Sequence, residues 1–359
     1  AFDEGYQKDF IKGCFDGLNG DLSSHLEEAQ ERNETARSRC IGLTIETRPD
    51  CFLDGDVERA LSYGVTRVEL GVQTTNEEVL RAMSRGHGVK EVVEATRRAK
   101  DAGLKVCYHL MPGLPGMTPE DDVGTFREVF EDPAFRPDML KIYPTAVVKG
   151  TGLYTMWKNG EFEPYDTQTV AELIARLKSM TPPWVRIQRI QRDIPIPLTE
   201  AGARAGHLRE LARELLTEQG KKCHCIRCRE VGRIEGGGDV SVENAELVRR
   251  EYEASGRTEV FLSYEDGEAL FGYARLRDCG DVARLRELRV LGELVPLNER
   301  PGRRWQHQGI GVLLLKECER IAGDEWESDS LHVTSGVGAR RYYEKLGFSR
   351  SGPYMSKLL

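Results

Sequence analysis

The sequence contains no run of eighteen or more apolar residues and opens with no signal-peptide pattern, which argues against a membrane-spanning helix and against secretion. A cytoplasmic address is the expectation. A disulfide framework is missing too: nine cysteines is an odd number, and six of them (Cys14, Cys40, Cys51, Cys107, Cys279 and Cys318) are scattered along the chain. There is no excess of positive charge either. Lys plus Arg 51 against Asp plus Glu 59 gives a net −8, which offers no global pull toward nucleic acid but does not exclude a local basic patch. No internal repeat is evident. The first residue is Ala1 rather than an initiator Met, which leaves room for an upstream segment.

What is present is 359 residues, 39% apolar and 31% charged, a composition expected of a globular protein with more than one core. Between residues 20 and 190, short β-branched runs alternate with longer charged amphipathic stretches. Strands are predicted at CIGLTIE (from Cys40), RVELGVQ (from Arg67), KVCYHLMPG (from Lys105), MLKIYPT (from Met139) and WVRIQRI (from Trp184). Helical patterns such as NEEVLRAM and KEVVEATRRAKDAG lie between them, the second ended by Gly103. Strand, helix, strand at this spacing predicts parallel βαβ units in a partial (β/α) barrel, with chemistry at the carboxyl ends of the strands. Those ends read ETRPD, GVQTTN, HLMPGLPG and KIYPT. Each has a plainer reading as chain-turning Pro and Gly. His87 and His109 are rim candidates, although a lone histidine is more often structural.

From about residue 240 the pattern changes to an α+β unit: a strand hairpin EVFLSYEDGEALFGYARLRD, a strand LRELRVLGELVPL, a helix GIGVLLLKECERI, a strand SLHVTS, a helix ARRYYEKLG and a terminal strand. The turn Gln306, His307, Gln308, Gly309, Ile310, Gly311 fits Q/R-x-x-G-x-G/A before a helix. There the amides of Gly309, Gly311 and Val312 would face a diphosphate at the positive end of the helix. In this order, residues 258–359 resemble a GNAT acetyltransferase domain, which binds acetyl-CoA. The resemblance implies that Glu287, Leu288, Arg289 and Val290 run along the pantetheine arm. It also implies that Tyr343, with Tyr342 beside it, stands near the sulfur as a proton donor. One of the two tyrosines can instead simply pack.

The upstream runs IGLTIETRPD, ELGVQTTNEEVLRAMSRGH, YHLMPGLPGMTPED, LKIYPT and PPWVRIQRIQRDIP, followed by CHCIRCREVG and the GNAT pattern, closely resemble the Elongator catalytic subunit family. That resemblance covers nearly the whole chain. It implies an α/β architecture, a TIM-like radical S-adenosylmethionine (SAM) partial barrel followed by an α+β GNAT domain, with residues 1–195, 196–240 and 241–359 as barrel, linker and acetyl-CoA unit. It implies a tRNA-modifying acyltransferase that forms 5-carboxymethyluridine at the wobble position from acetyl-CoA by SAM radical chemistry. Lys141, at a barrel strand end, then belongs to the active-site region, where it would orient the acetyl group or the uridine. A rim salt bridge is the alternative. Protein lysine acetylation by the GNAT unit alone, with Glu287 as base, and a tRNA-binding scaffold without turnover remain as other readings. A homodimer and Elongator-type subunits are the assemblies left open; a membrane partner is not expected.

The family's [4Fe-4S] cysteines have no counterpart in this sequence, since Cys14, Cys40 and Cys51 are too dispersed, so the chain by itself is expected not to cleave SAM. Cys223, Cys225 and Cys228 form C-x-C-x2-C, a set that suits tetrahedral zinc in a structural clip, with His207, His224, another cysteine or water as fourth ligand. Three reduced cysteines in a loop is the alternative. Arg186, Arg189 and Arg192, with Lys221, Lys222, Arg227 and Arg229, could form a basic surface matching RNA phosphates. A solvated charged face is the alternative, and the family resemblance favours tRNA.

Overall fold

The computed structural model describes residues 2–191, 194–234, 240–292 and 309–359. After two helices, Glu4–Asn19 and Leu26–Asn33, come five strands: β1 (Leu43–Thr47), β2 (Val65–Gln73), β3 (Lys105–Leu110), β4 (Met139–Ile142) and β5 (Arg186–Ile190). They form one parallel sheet in sequence order, as the βαβ spacing predicts. The connecting helices include Val89–Asp101, whose valines and alanines recur at helical spacing, and Pro119–Glu131, started by Thr118 in a capping box with Asp121.

Parallel sheets normally carry helices on both faces and are apolar throughout. Here one face is apolar: Val68, Leu70, Val106, Tyr108, Leu140, Ile142 and Ile187 pack in a single core with Val92, Ala95, Phe126, Val129 and Leu173. The other face carries Arg67 and Glu69 on β2, Cys107 and His109 on β3, Lys141 on β4 and Gln188 on β5. A row of polar side chains on a parallel sheet marks the inside of an incomplete barrel, open to ligands.

The second unit is a seven-stranded sheet: β6 (Glu246–Ala254), β7 (Arg257–Asp266), β8 (Ala269–Asp278), β9 (Val282–Val290), β10 (Ser330–Val333), β11 (Ser349–Ser351) and β12 (Tyr354–Leu358), ordered β11-β12-β10-β9-β8-β7-β6. The sequence reading missed β6, because ELVRREYEA is too charged to look like a strand. Neighbours are antiparallel except β9 and β10, which run parallel. Their pairing ends at Leu285 and Val333 while β9 continues to Val290, so the two strands part and leave an opening. The helix Ile310–Arg320 packs Ile310, Leu314, Leu315 and Cys318 over this sheet.

The two units meet at the amino-terminal ends of the barrel strands. Four cations, Lys100, Arg275, Arg277 and Arg286, interleave there with four carboxylates, Asp101, Asp138, Glu259 and Glu287. Arg286 of β9 reaches Asp138, just before β4, at 2.5 and 2.9 Å, Glu259 at 3.1 Å and the Leu104 carbonyl at 2.9 Å. Lys100 adds bonds of 3.2 Å to both oxygens of Glu259, and Arg275 donates to the Trp184 carbonyl at 2.6 Å. Burial alone would push Asp138 and Glu259 up, but the surrounding cations hold both below the usual carboxylate range. Burial pushes Lys100 down to about 8. The loop before the helix Arg340–Glu344 closes a second contact, where a Cβ on Gly336 would lie 2.2 Å from the Ile41 carbonyl oxygen.

Removing one partner of such a set strands the others without compensation. Arg286→Met is therefore expected to lower the unfolding free energy by about 3–5 kcal/mol, read as a shift of the urea midpoint. A midpoint unchanged from the parent protein would show that the network contributes little.

Candidate functional site

The polar barrel face converges on Glu69. Its Oε2 accepts from His109 Nε2 at 2.7 Å and from Lys141 Nζ, and its Oε1 pairs with Arg67 Nη2 at 3.1 Å. The other ring nitrogen of His109 stands 3.3 Å from Glu46, and Tyr143 meets the ring edge-on at 5.3 Å. Burial would raise Glu69, yet His109, Lys141 and Arg67 hold it down at about 2. Burial likewise works against the charge on Lys141, but the carboxylate prevails and raises it. Lys141 is thus where the sequence placed it, at a strand end in the barrel, and is held in an ion pair. Glu69, Cys107 and His109 have ligand atoms within 4.8 Å of one another, but two cations already share the carboxylate and would repel a metal ion. The group is suited to orienting a substrate and moving a proton.

At the carboxyl ends of β2 and β4 lie polar atoms with no hydrogen-bond partner among the described residues, Gln73 Oε1, Arg85 Nε and Thr145 Oγ1, and nearby is the buried ring of His87, whose closest backbone group is Val72. Gln73 sits at φ 70°, and Arg85 donates to the Gly71 carbonyl at 3.0 Å. Burial lowers His87, which favours its neutral form. Buried polar atoms are rarely left unpaired, so those at the strand ends are candidate contacts for a polar ligand, with Thr145 lining a cavity beside Met111, Tyr143 and Gln191. Of Gln73, Arg85, His87 and Thr145, the sequence reading named His87, and its strand-end stretches GVQTTN and KIYPT contain Gln73 and Thr145; only Arg85 fell outside the named positions.

In the second unit, the parting of β9 from β10 opens a cleft of about 480 Å³ lined by Leu288, Val290, Gly309, Ile310, Gly311, Val312, Tyr342 and Tyr343. Gly309 takes φ 86°, a left-handed conformation that glycine adopts without strain. The amide of Val312, expected to face a diphosphate, instead donates to the Gly309 carbonyl at 2.9 Å; at a helix start, the amides ahead of it are the ones without partners inside the helix. Glu287 is turned away from the cleft: it accepts from Tyr273 at 3.0 Å and Arg275 at 2.9 Å, and Arg275 and Lys105 help hold it below the usual range against the effect of burial. Arg289, alternating with the cleft residues, is exposed on the same side as Glu287. Tyr343 borders the cleft, 7% exposed and edge-on to Phe348, with its phenol pushed up by burial. Tyr342 is 41% exposed and places its hydroxyl 3.2 Å from where a Gly311 Cβ would stand. Gln306, His307 and Gln308 lie outside the described residues, as does Arg192.

Cys223, Cys225 and Cys228 bring their sulfurs together, again within 4.8 Å, and no fourth His, Cys, Asp or Glu joins them among the described residues. Thiol hydrogen bonds from Cys223 and Cys228 lower Cys225. The loop lies at the amino-terminal start of β5, where the Ile226 amide donates to the Val185 carbonyl at 3.0 Å. The expected basic surface is broken. Arg186 is buried against Glu230, and Arg229 is buried against Glu265 and the His224 and Pro183 carbonyls, because both serve the junction between units. Arg189, Lys221 and Lys222 are exposed, and Lys222 pairs with Glu268 at 2.9 Å. Lys221 and Lys222 line an open groove with Ser179 and His224.

Three known families match along the chain: the radical SAM superfamily over residues 9–129, the radical SAM C-terminal domain over 137–218, and the acetyltransferase (GNAT) domain over 239–357. Elongator complex protein 3 of Schizosaccharomyces pombe is 47% identical over 369 residues, covering 99% of this chain and 68% of its own length. The tRNA uridine(34) acetyltransferase of Methanocaldococcus jannaschii is 48% identical over 373 residues, covering 100% of this chain and 69% of its own. The solved structure of the archaeal Methanocaldococcus infernus Elp3 with an N-terminus deletion superposes with a TM-score of 0.95 at 46% identity, covering all of this chain and 87% of that one. Among the described residues, no helix is long and apolar enough to cross a membrane.

The Glu69 hub has a measurable acid signature. A carboxylate held at about 2 when folded, against 4.5 in a free chain, stabilises the fold above about pH 4.5, and this is lost as pH falls toward 2. The stability gap between the parent and Glu69→Gln, followed by thermal melting, is expected to shrink across that window. A gap that stays constant would place Glu69 outside this charge set.

Proposed function

Because the chain belongs to the Elongator complex protein 3 family, some members of which are named tRNA uridine(34) acetyltransferase, we propose that it is a transferase that uses acetyl-CoA and SAM radical chemistry to form 5-carboxymethyluridine at the tRNA wobble position. The observation that carries this reading is one body holding two ligand-ready sites, a barrel rim with unpaired buried polar atoms and a cleft opened by strand parting, locked together by buried charge. We assign the barrel to residues 1–195, the linker to 196–240 and the acetyl-CoA unit to 241–359.

In the cleft, coenzyme A lies along the free edge of β9 beside Leu288 and Val290, with its diphosphate at the Gly309–Gly311 turn. Tyr343 donates a hydrogen bond to the thiolate, since its raised phenol keeps its proton at neutral pH. At the rim, Arg85, Gln73, His87 and Thr145 supply donors and acceptors for the amino-acid and ribose groups of SAM. SAM with a [4Fe-4S] cluster and an external electron donor would supply the radical chemistry that activates the acetyl methyl group. Joining that methyl carbon to C5 of the uridine would also require loss of the C5 proton and return of one electron to an acceptor, and the thioester would then be hydrolysed by water. Lys141 and His109, oriented by Glu69, are the groups placed to steer the uracil ring and relay protons. We assign Arg189, Lys221 and Lys222, all exposed, to contacts with RNA phosphates.

Lysine acetylation with Glu287 as base is disfavoured, because Tyr273 and Arg275 already occupy its carboxylate and its lowered basicity suits an ion pair. The cysteine triad fits a structural zinc better than the radical cluster. Three thiolates suit either group, and what favours zinc is that the loop sits at the strand end opposite the proposed SAM rim. On this reading Cys223, Cys225 and Cys228 are not the [4Fe-4S] ligands.

The full-length protein is expected to hydrolyse acetyl-CoA about tenfold faster with tRNA than without, and, with its cluster reconstituted and SAM and reductant added, to yield 5-carboxymethyluridine by nucleoside mass spectrometry. Acetyl transfer to lysine peptides with no response to tRNA would overturn the reading. Elemental analysis checks the metal: Cys225→Ser is expected to lose zinc and keep iron. Loss of iron instead would assign the triad to the cluster.

A further inference from the structure

The segment leaving β3, residues 111–117, is fastened to the barrel rim on both sides. The Met111 amide donates to the Gln73 carbonyl at 2.8 Å, and the Thr145 amide to the Pro112 carbonyl at 2.9 Å. Its middle is held by Asp122, a carboxyl 3% exposed near the start of the helix Pro119–Glu131, whose Oδ2 accepts from the Gly113 amide at 2.9 Å. Tyr165, just before the helix Thr167–Ser179, lays its hydroxyl 3.0 Å from the same Oδ2 and 3.1 Å from the Met117 carbonyl. Gly113 takes φ 77°, and a Cβ there would stand 2.9 Å from the Tyr165 ring, so the ring clamps the loop at its glycine.

One hydroxyl hydrogen cannot serve two acceptors fully. If Asp122 is ionised, Tyr165 must give its hydrogen to the carboxylate and release Met117. If Asp122 carries its own proton, the acid donates to the Tyr165 oxygen, Tyr165 donates to Met117, and Gly113 keeps its bond. Among the described residues no cation contributes to the titration of this carboxyl. Its charged neighbours are Asp121 on the same helix and, toward Tyr165, Glu120, which is paired with Arg176. We propose that Asp122 is a positioning residue that, as the neutral acid, locks residues 111–117 onto the rim, and that its ionisation loosens this loop and weakens binding of the S-adenosyl ligand beside Gln73 and Arg85. The ligand half of this statement rests on reading the rim as a SAM site; the loop half does not. Burial supports it by raising Asp122 to about 7 against the Gly113 and Tyr165 hydrogen bonds, which favour the ionised form, so the locked form is complete at low pH and is lost as pH rises through neutrality.

Hydrogen exchange on the intact chain tests the loop. After correction for intrinsic exchange, protection of the peptide spanning residues 111–117 is expected to fall about fivefold from about pH 6 to about pH 8.5 in the parent. In Asp122→Asn, which keeps an acceptor for Gly113 but cannot titrate, it should not change with pH. Tyr165→Phe should expose the peptide at both pH values. Equal pH dependence in the parent and Asp122→Asn, or none in the parent, overturns the proposal. Equilibrium dialysis of the full-length protein with S-adenosylhomocysteine should show the same loss of affinity in the parent alone. If the parent binds none at either pH while the exchange result holds, the SAM reading of the rim falls and the loop lock stands.

Discussion

The structure depends on the contact between Arg286 and Asp138. Arg286 projects from the strand that lines the cleft of the second unit, and Asp138 immediately precedes the barrel strand that carries Lys141. Around them Lys100, Arg275, Arg277, Asp101, Glu259 and Glu287 complete a balanced set, so the charges removed from water are compensated locally. An apolar interface would tolerate small slides between the units. A fixed lattice of donors and acceptors does not, because any slide leaves a buried charge unpaired.

This arrangement leaves the barrel's working end free. The acetyltransferase unit covers the amino-terminal ends of the parallel strands, while Gln73, Arg85, His87 and Thr145 gather at the opposite end. Between the two ends runs the polar face, with Lys105, Arg67, Glu69, His109 and Lys141 in succession across the neighbouring strands β2, β3 and β4. In a sheet otherwise built from Val, Leu and Ile, that row sets a charged interior beside the strands that hold the coenzyme side in place.

Much of this was legible in the sequence, for identifiable reasons. The five barrel strands stand out because their β-branched runs are separated by amphipathic helices of near-regular length, and the acetyltransferase order is carried by the glycine turn and by ARRYYEKLGF. The strand β6 was missed because its alternation is between charged and intermediate positions rather than apolar and polar ones. Glu69 was passed over because a single acid inside RVELGVQ reads as an interruption; only the register across β3 and β4 reveals that it gathers a histidine and a lysine distant in sequence. The error over Arg186 has the same origin. Arginines at every third residue suggest a solvated stripe, whereas on a strand adjacent positions face opposite sides, and position 186 falls against Glu230 at the junction.

The strand β9 belongs to both units' business at once, since a register irregularity at Arg286 turns it toward the barrel beside Glu287, while Leu288 and Val290 face the cleft. From the anchor at Arg286 to the cleft wall at Val290 is four residues of extended chain, roughly 13 Å. That spacing is a covalent yardstick. Divergent descendants of this fold can resculpt the cleft by exchanging side chains, but they cannot lengthen or shorten the reach between anchor and cleft without rebuilding the strand itself.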